Sequence, residues 1–231
     1  MPEPLILEAA ALSLLLLLHF IPTHPPVRRW LVAVLGARAH QGLFAIAAAM
    51  TLIWAVLSWR DADYVELWST PYGWRYVAMA INALAYVLLG CALLTPNPTA
   101  AGMDGRVALE PKGIFAVTRH PMMWGIGLWA LTHVVSNGHL ASTMLFGSLA
   151  FLALIGPLHM EVRKRAERGA EWDGFVAGSS YVPFAAILAG RARFDPAAIG
   201  GWRVAAGLGL FGLALWLHDT VSGFDLTTDL Y

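Results

Sequence analysis

LILEAAALSLLLLLHFI, residues 5–21, decides the fold class: seventeen residues carry one acid and one histidine among apolar side chains. At 1.5 Å per residue such a helix covers about 25 Å, close to the ~30 Å hydrocarbon thickness of a bilayer. Five further runs follow at residues 42–59, 76–94, 121–135, 140–158 and 200–217. The fourth is short, and it begins instead at Gly113 if Arg119 and His120 snorkel to the interface from inside a continuing helix. A seventh patch, residues 182–190, cannot span and is expected to be interfacial or re-entrant. The expected architecture is therefore an all-α, polytopic membrane helix bundle of about six transmembrane helices, forming a single domain over residues 1–231.

Composition agrees with the pattern. Of 231 residues, 58% are hydrophobic and 13% charged, where soluble domains carry about a quarter charged residues. Fifteen Lys and Arg balance fifteen Asp and Glu, so no basic face exists for a nucleic acid, and none is expected as a partner. Membrane lipid is. The lone cysteine, Cys91, lies within an apolar run and can form neither an intrachain disulfide nor a thiolate cluster. Any metal has to be held through histidine.

The basic residues orient the chain, because loops rich in Lys and Arg stay cytoplasmic. Thirteen of the fifteen fall after the first, third and fifth runs, Arg28, Arg29, Arg38, Arg106, Lys112 and Arg119 among them; only Arg60 and Arg75 follow the second. Both termini are expected on the exterior side. The segment Met1-Pro2-Glu3-Pro4 has no basic leader character, so the first run is expected to remain in the mature protein. The absence of transit-peptide character points to a bacterial plasma membrane.

Ionisable side chains in apolar runs are costly and are by default functional candidates. Glu8 lies about one turn from the outer end of its run and is expected to reach water. His19 and His133 lie deeper, and neutral imidazole is a common ligand for transition metals and haem iron. Helix rise puts these two about 10 Å apart in depth, whereas His218 matches the depth of His133 more closely. An interhelical hydrogen bond is the plainer role for either. In GIFAVTRHPMMWGIGLWALTH, residues 113–133, Arg119-His120-Pro121 sets a cation and an imidazole at a proline helix start. That is either a small-anion or cofactor-phosphate site, or an arginine that fixes topology.

TRHPMMWG followed by LWALTH, the earlier LHFIP leading through RRWLVAVLGARAHQGLF, and the later GAEWDGF with YVPFAAILAGR resemble the NnrU family of bacterial membrane proteins. That family also contains the plant and cyanobacterial 15-cis-zeta-carotene isomerases. The resemblance runs over residues 12–218 and implies haem b with axial histidines. Carried over by motif, the ligands fall on His19 and His133; Arg119 and His120 remain cofactor-binding candidates by their chemistry. It also implies either isomerisation of a cis double bond in a carotenoid-like polyene or a part in nitrite and nitric oxide metabolism (denitrification), with a hydrophobic polyene substrate or a membrane redox complex as the expected partner. The isomerase cysteine three residues before the second histidine is replaced here by Ala130.

A second resemblance is to membrane methyltransferases of the isoprenylcysteine and phospholipid type, which bind S-adenosylmethionine. Arg119, His120, Pro121, Gly125, Glu161, Gly169, Trp172, Phe175 and Pro183 fall on that pattern, but Val162 and Arg163 stand where a second acid usually follows Glu161. A non-enzymatic role as an assembly factor is a third alternative. Residues 160–175, with mixed charges at helical spacing, are expected to form a solvated cytoplasmic helix, and the ten tryptophans to mark the interfaces.

Overall fold

The computed structural model describes residues 3–99 and 110–222, with the side chains of residues 219, 221 and 222 excepted. Arg106, counted above among the cytoplasmic charges, lies outside them. The described residues form helices joined by turns, with a single isolated bridge between Glu66 and His139 and no strand. In chain order the helices are α1 (Glu3–Phe20), α2 (Pro25–Leu35), α3 (Ala37–Arg60), α4 (Trp74–Leu93), α5 (Ile114–Val117) and α6 (Pro121–Asn137). They continue with α7 (Leu140–Arg168), α8 (Ala170–Ala177), α9 (Ala185–Leu188), α10 (Pro196–Ile199) and α11 (Gly201–Ser222).

All six apolar runs are helical, and the protein is an all-α membrane helix bundle. Helices α1, α3, α4 and α7 are long and apolar enough to cross a bilayer; α6, of 17 residues, and α11, of 22, carry the fourth and sixth runs. The fourth run starts at Pro121 rather than at Gly113. Thr118, the C-cap of α5, is extended (φ −152°, ψ 142°), and the proline at 121 disfavours helical geometry at His120, so α5 and α6 are separate helices. Residues 182–190 hold one turn of helix, α9, which packs on α5.

The charged stretch 160–175 departs from expectation. It is the end of α7 and the start of α8, divided at Gly169, whose φ of +52° suits glycine. Lys164, Trp172 and Phe175 are fully buried, whereas Arg165, Glu167, Glu171 and Asp173 are exposed, so the stretch is solvated on one face only. Apolar positions alternate with the charges closely enough for one face to turn inward.

The chain divides into two compact units, Met1–Ala78 with Ile126–Gly174, and Met79–Gly125 with Phe175–Tyr231. In the first, α1 packs against α3 and α7 over a core of Ala11, Leu12, Leu15, Ala55, Leu145 and Phe146. In the second, glycines let backbones approach. A Cβ added at Gly207 would stand 2.6 Å from the Val87 Cα, and one at Gly90 would stand 2.6 Å from the Gly207 Cα. Small residues at such seams are the usual means of helix packing in lipid, where the hydrophobic effect no longer drives helices together.

Candidate functional site

The first unit gathers most of the ionisable groups that sequence places inside apolar runs. Its helix directions follow from the contacts. His19 meets Phe44 while Leu12 shares a core with Ala55, so α1 and α3 are antiparallel. Phe20 meets Phe151 and His24 meets His159 while Leu12 lies by Leu145, so α1 and α7 are parallel. His133 lies against Phe146 at 4.8 Å and Gly127 against Leu154, which makes the 126–137 part of α6 antiparallel to α7, and hence to α1.

His19 and His133 share one local geometry. His19 Nδ1 lies 2.8 Å from the carbonyl oxygen of Leu15, and His133 Nδ1 lies 2.7 Å from that of Trp129. A carbonyl only accepts, so each Nδ1 donates its N–H to that oxygen. A hydrogen bond of this kind on the second nitrogen is what orients ligating histidines. The bond to residue i−4 also tilts each ring toward its own helix N-terminus. Because α1 and α6 run in opposite directions, the two rings lean toward a common level.

Their Cα atoms are nevertheless well separated. His133 stands at the level of Phe146, which shares a core with Leu12, and His19 is seven residues beyond Leu12, about 10 Å along the axis. Leu12, Leu15 and Phe146 belong to one buried core cluster. Both residues belong to the first unit. His218 belongs to α11, in the second unit.

Arg119 and His120 lie together in the second unit, 8% and 1% exposed. Their segment is clasped to residues 180–184 by backbone bonds: Arg119 N–H donates to the Ser180 carbonyl (2.9 Å) and Phe184 N–H to the Val117 carbonyl (2.8 Å). The Thr118 hydroxyl and the Trp124 indole N–H both donate to the Tyr181 carbonyl, at 2.7 and 2.9 Å. Phe184, with φ +65°, is the one described non-glycine residue in left-handed geometry. Of the residues laid on the methyltransferase pattern, Gly125, Phe175 and Pro183 accompany them in this unit, while Glu161, Gly169 and Trp172 belong to the first.

Glu8 does not reach water. It is 0% exposed, and neither carboxyl oxygen has a hydrogen-bond partner. The signal was present in the spacing, since Leu5, Glu8, Leu12 and Leu15 fall on one helix face and the three leucines are core. At the end of the same unit where α3 stops and α7 starts, Trp59 Nε1–H donates to Ser142 Oγ (2.9 Å), which lies 2.8 Å from His139 Nε2. The Ser142 N–H donates to His139 Nδ1, so His139 caps α7 and Nε2 carries its proton. Burial holds the His139 imidazole below its ordinary value of 6.5.

Among the described residues, no group of three or more His, Cys, Asp and Glu side chains is arranged to hold a metal ion. Comparison with known proteins adds three findings. The family model described as NnrU protein matches residues 7–226. The chain is 27% identical over 163 residues to the chloroplastic 15-cis-zeta-carotene isomerase of Arabidopsis thaliana, covering 68% of this chain and 44% of that protein. It is 25% identical over 165 residues to the chloroplastic 15-cis-zeta-carotene isomerase of Zea mays, covering 69% and 45%. The chain therefore matches less than half the length of these curated relatives. No solved structure matches.

Proposed function

The chain belongs to the NnrU family, and from that membership we propose that it is a membrane enzyme that isomerises a cis double bond of an apolar, carotenoid-like polyene. The observation that carries this reading is the similarity to two proteins named as carotene isomerases, over two thirds of this chain. Those names favour the polyene over nitrogen-oxide metabolism, and family membership favours it over the methyltransferase alternative. An apolar polyene dissolves in the bilayer, and the rings of Trp129, Phe146 and Phe44 in the first unit offer π faces of the kind a conjugated chain packs against.

The second part of the proposal is the cofactor. His19 and His133 would hold haem b through Nε2, the Leu15 and Trp129 carbonyls keeping the Nδ1 protons in place and so the rings oriented. When bound, the haem supplies an iron centre whose ligation and charge change with oxidation state. Leu12 and Leu15 then keep water from its neighbourhood. The distribution of Lys and Arg supports a multi-pass chain with both termini on the exterior side.

The test is purification in lipid nanodiscs, an absorption spectrum in both redox states, and incubation with a cis-polyene followed by chromatographic separation of isomers. The expected result is a Soret band that shifts on reduction, and conversion to the trans isomer. His133→Ala and His19→Ala should each lose the band and the conversion. Conversion by a protein without the band would overturn the haem part alone; a band without conversion across several cis-polyenes would overturn the isomerase part.

A further inference from the structure

Helix α2 is oriented inside out for a helix bathed in water. Two prolines start it, Gly36 at φ +79° ends it, and it joins α1 to α3, both long and apolar enough to span a bilayer. Its charged Arg28 turns inward and pairs with Glu167 of α7 at 2.8 Å. Its outward arc is apolar. At 100° per residue, Pro26, Trp30, Ala33 and Val34 share a sector about 100° wide, and all four are exposed, Trp30 and Val34 by 64% each. Arg29 flanks that sector, and Arg38, also exposed, follows in the first turn of α3. Residues 24–40 contain no acid.

We propose that α2 lies flat in the headgroup region of one leaflet, its outer arc in the acyl boundary and Arg29 and Arg38 on the phosphates of anionic phospholipids. The occupant follows from position and charge. Because α2 bridges the same-side ends of two spanning helices, its free face meets the membrane boundary. An apolar sector carrying a tryptophan and edged by arginines matches that boundary layer by layer. A segment with three arginines and no acid matches anionic headgroups. Arg28, paired with Glu167, lies on the side of α2 opposite the apolar arc.

The experiment uses the full chain with its one cysteine replaced, Cys91→Ser, and Val34→Cys carrying a spin label, in vesicles of phosphatidylcholine with phosphatidylglycerol. Labels at Ile53→Cys, on the exposed face of α3, and at Tyr72→Cys, fully exposed in a loop, serve as lipid and water standards. The label at residue 34 should collide with oxygen more than with a water-soluble nickel chelate, as at residue 53. Behaviour like residue 72 would place the arc in water, and shielding from both reagents would place another protein there; either overturns the proposal.

The headgroup arm replaces the spin label with a fluorophore quenched by brominated phosphatidylglycerol. Enrichment of that lipid around residue 34 should fall about fivefold for Arg29→Gln and again for Arg38→Gln. Molar salt should abolish it in the chain with both arginines intact, which keeps the test decisive if a variant inserts poorly. Enrichment indifferent to both changes would overturn the assignment of the arginines.

Discussion

The two units solve the same packing problem in opposite ways. Around Phe146 in the first unit, the rings of Trp59, Trp129 and His133 lie at 6.2, 5.3 and 4.8 Å between centroids. In the second, Gly90, Gly125 and Gly207 bring backbones together, and residues 117–119 are stitched to 180–184 by main-chain bonds. Bulky side chains hold helix axes apart in the first unit, where Glu8 is buried. In the second, the buried polar residues Arg119 and His120 lie in and beside the segment stitched by main-chain bonds. Chemistry that needs an adaptable interior belongs in the first arrangement, and precise placement of short segments in the second.

The largest effect expected is on the glycine seam. Gly207→Leu drives a side chain into the Val87 backbone and should cost about 3 kcal/mol or more, whereas Gly209→Leu, with nothing within 4 Å, should be tolerated. Abundance and monodispersity after detergent extraction measure this, and equal tolerance of both would break the contrast. Next is Phe146→Ala, which removes the ring hub and should destabilise by about 3–5 kcal/mol. Thermal unfolding in nanodiscs reads it, and a loss below 1 kcal/mol, roughly the value of one hydrogen bond, would mean that the rings only fill space.

A smaller and pH-dependent effect belongs to His139. Its folded-state affinity for a proton is depressed by burial, and a protonated ring also loses the Nδ1 acceptor that caps α7. The unfolded chain therefore binds the proton more readily, so stability is full above pH 6.5 and falls as pH drops below it. His139→Asn keeps a capping oxygen without titrating and should flatten the profile between pH 7.5 and 5. The smallest effect is expected from Glu8→Gln, since no partner is lost. A destabilisation above about 1 kcal/mol would show that the carboxyl is held by a bound group, and would make the first unit more site-like than its packing alone indicates.

The sequence made the helices legible because a bilayer demands long apolar runs, and all six became helices. Arg119-His120-Pro121 rightly marked a helix start, since proline suits only the first turn. Glu8 was misread because distance from a helix end says nothing about the direction a side chain faces; its i, i+4, i+7 relation to Leu12 and Leu15 did. Lys164 and Trp172 were misread for the complementary reason, that a mixed-charge stretch still has a face. The pairing of Trp59, Ser142 and His139 was out of reach, because it joins residues 83 positions apart in sequence through tertiary packing.

The loop after α3 has one further bearing. Leu67 and Trp68 N–H groups donate to the Gly138 carbonyl and Leu140 N–H to the Val65 carbonyl, and Trp68 Nε1–H reaches the Val135 carbonyl. These bonds strap the loop across the α6–α7 turn. Under the proposed isomerase reading, an apolar substrate dissolved in the bilayer would enter sideways, between helices, from the surrounding lipid. Turnover would accordingly follow the mole fraction of substrate in the bilayer: diluting the vesicles in buffer should leave the rate per protein unchanged, and adding empty lipid to the same membrane should lower it in proportion.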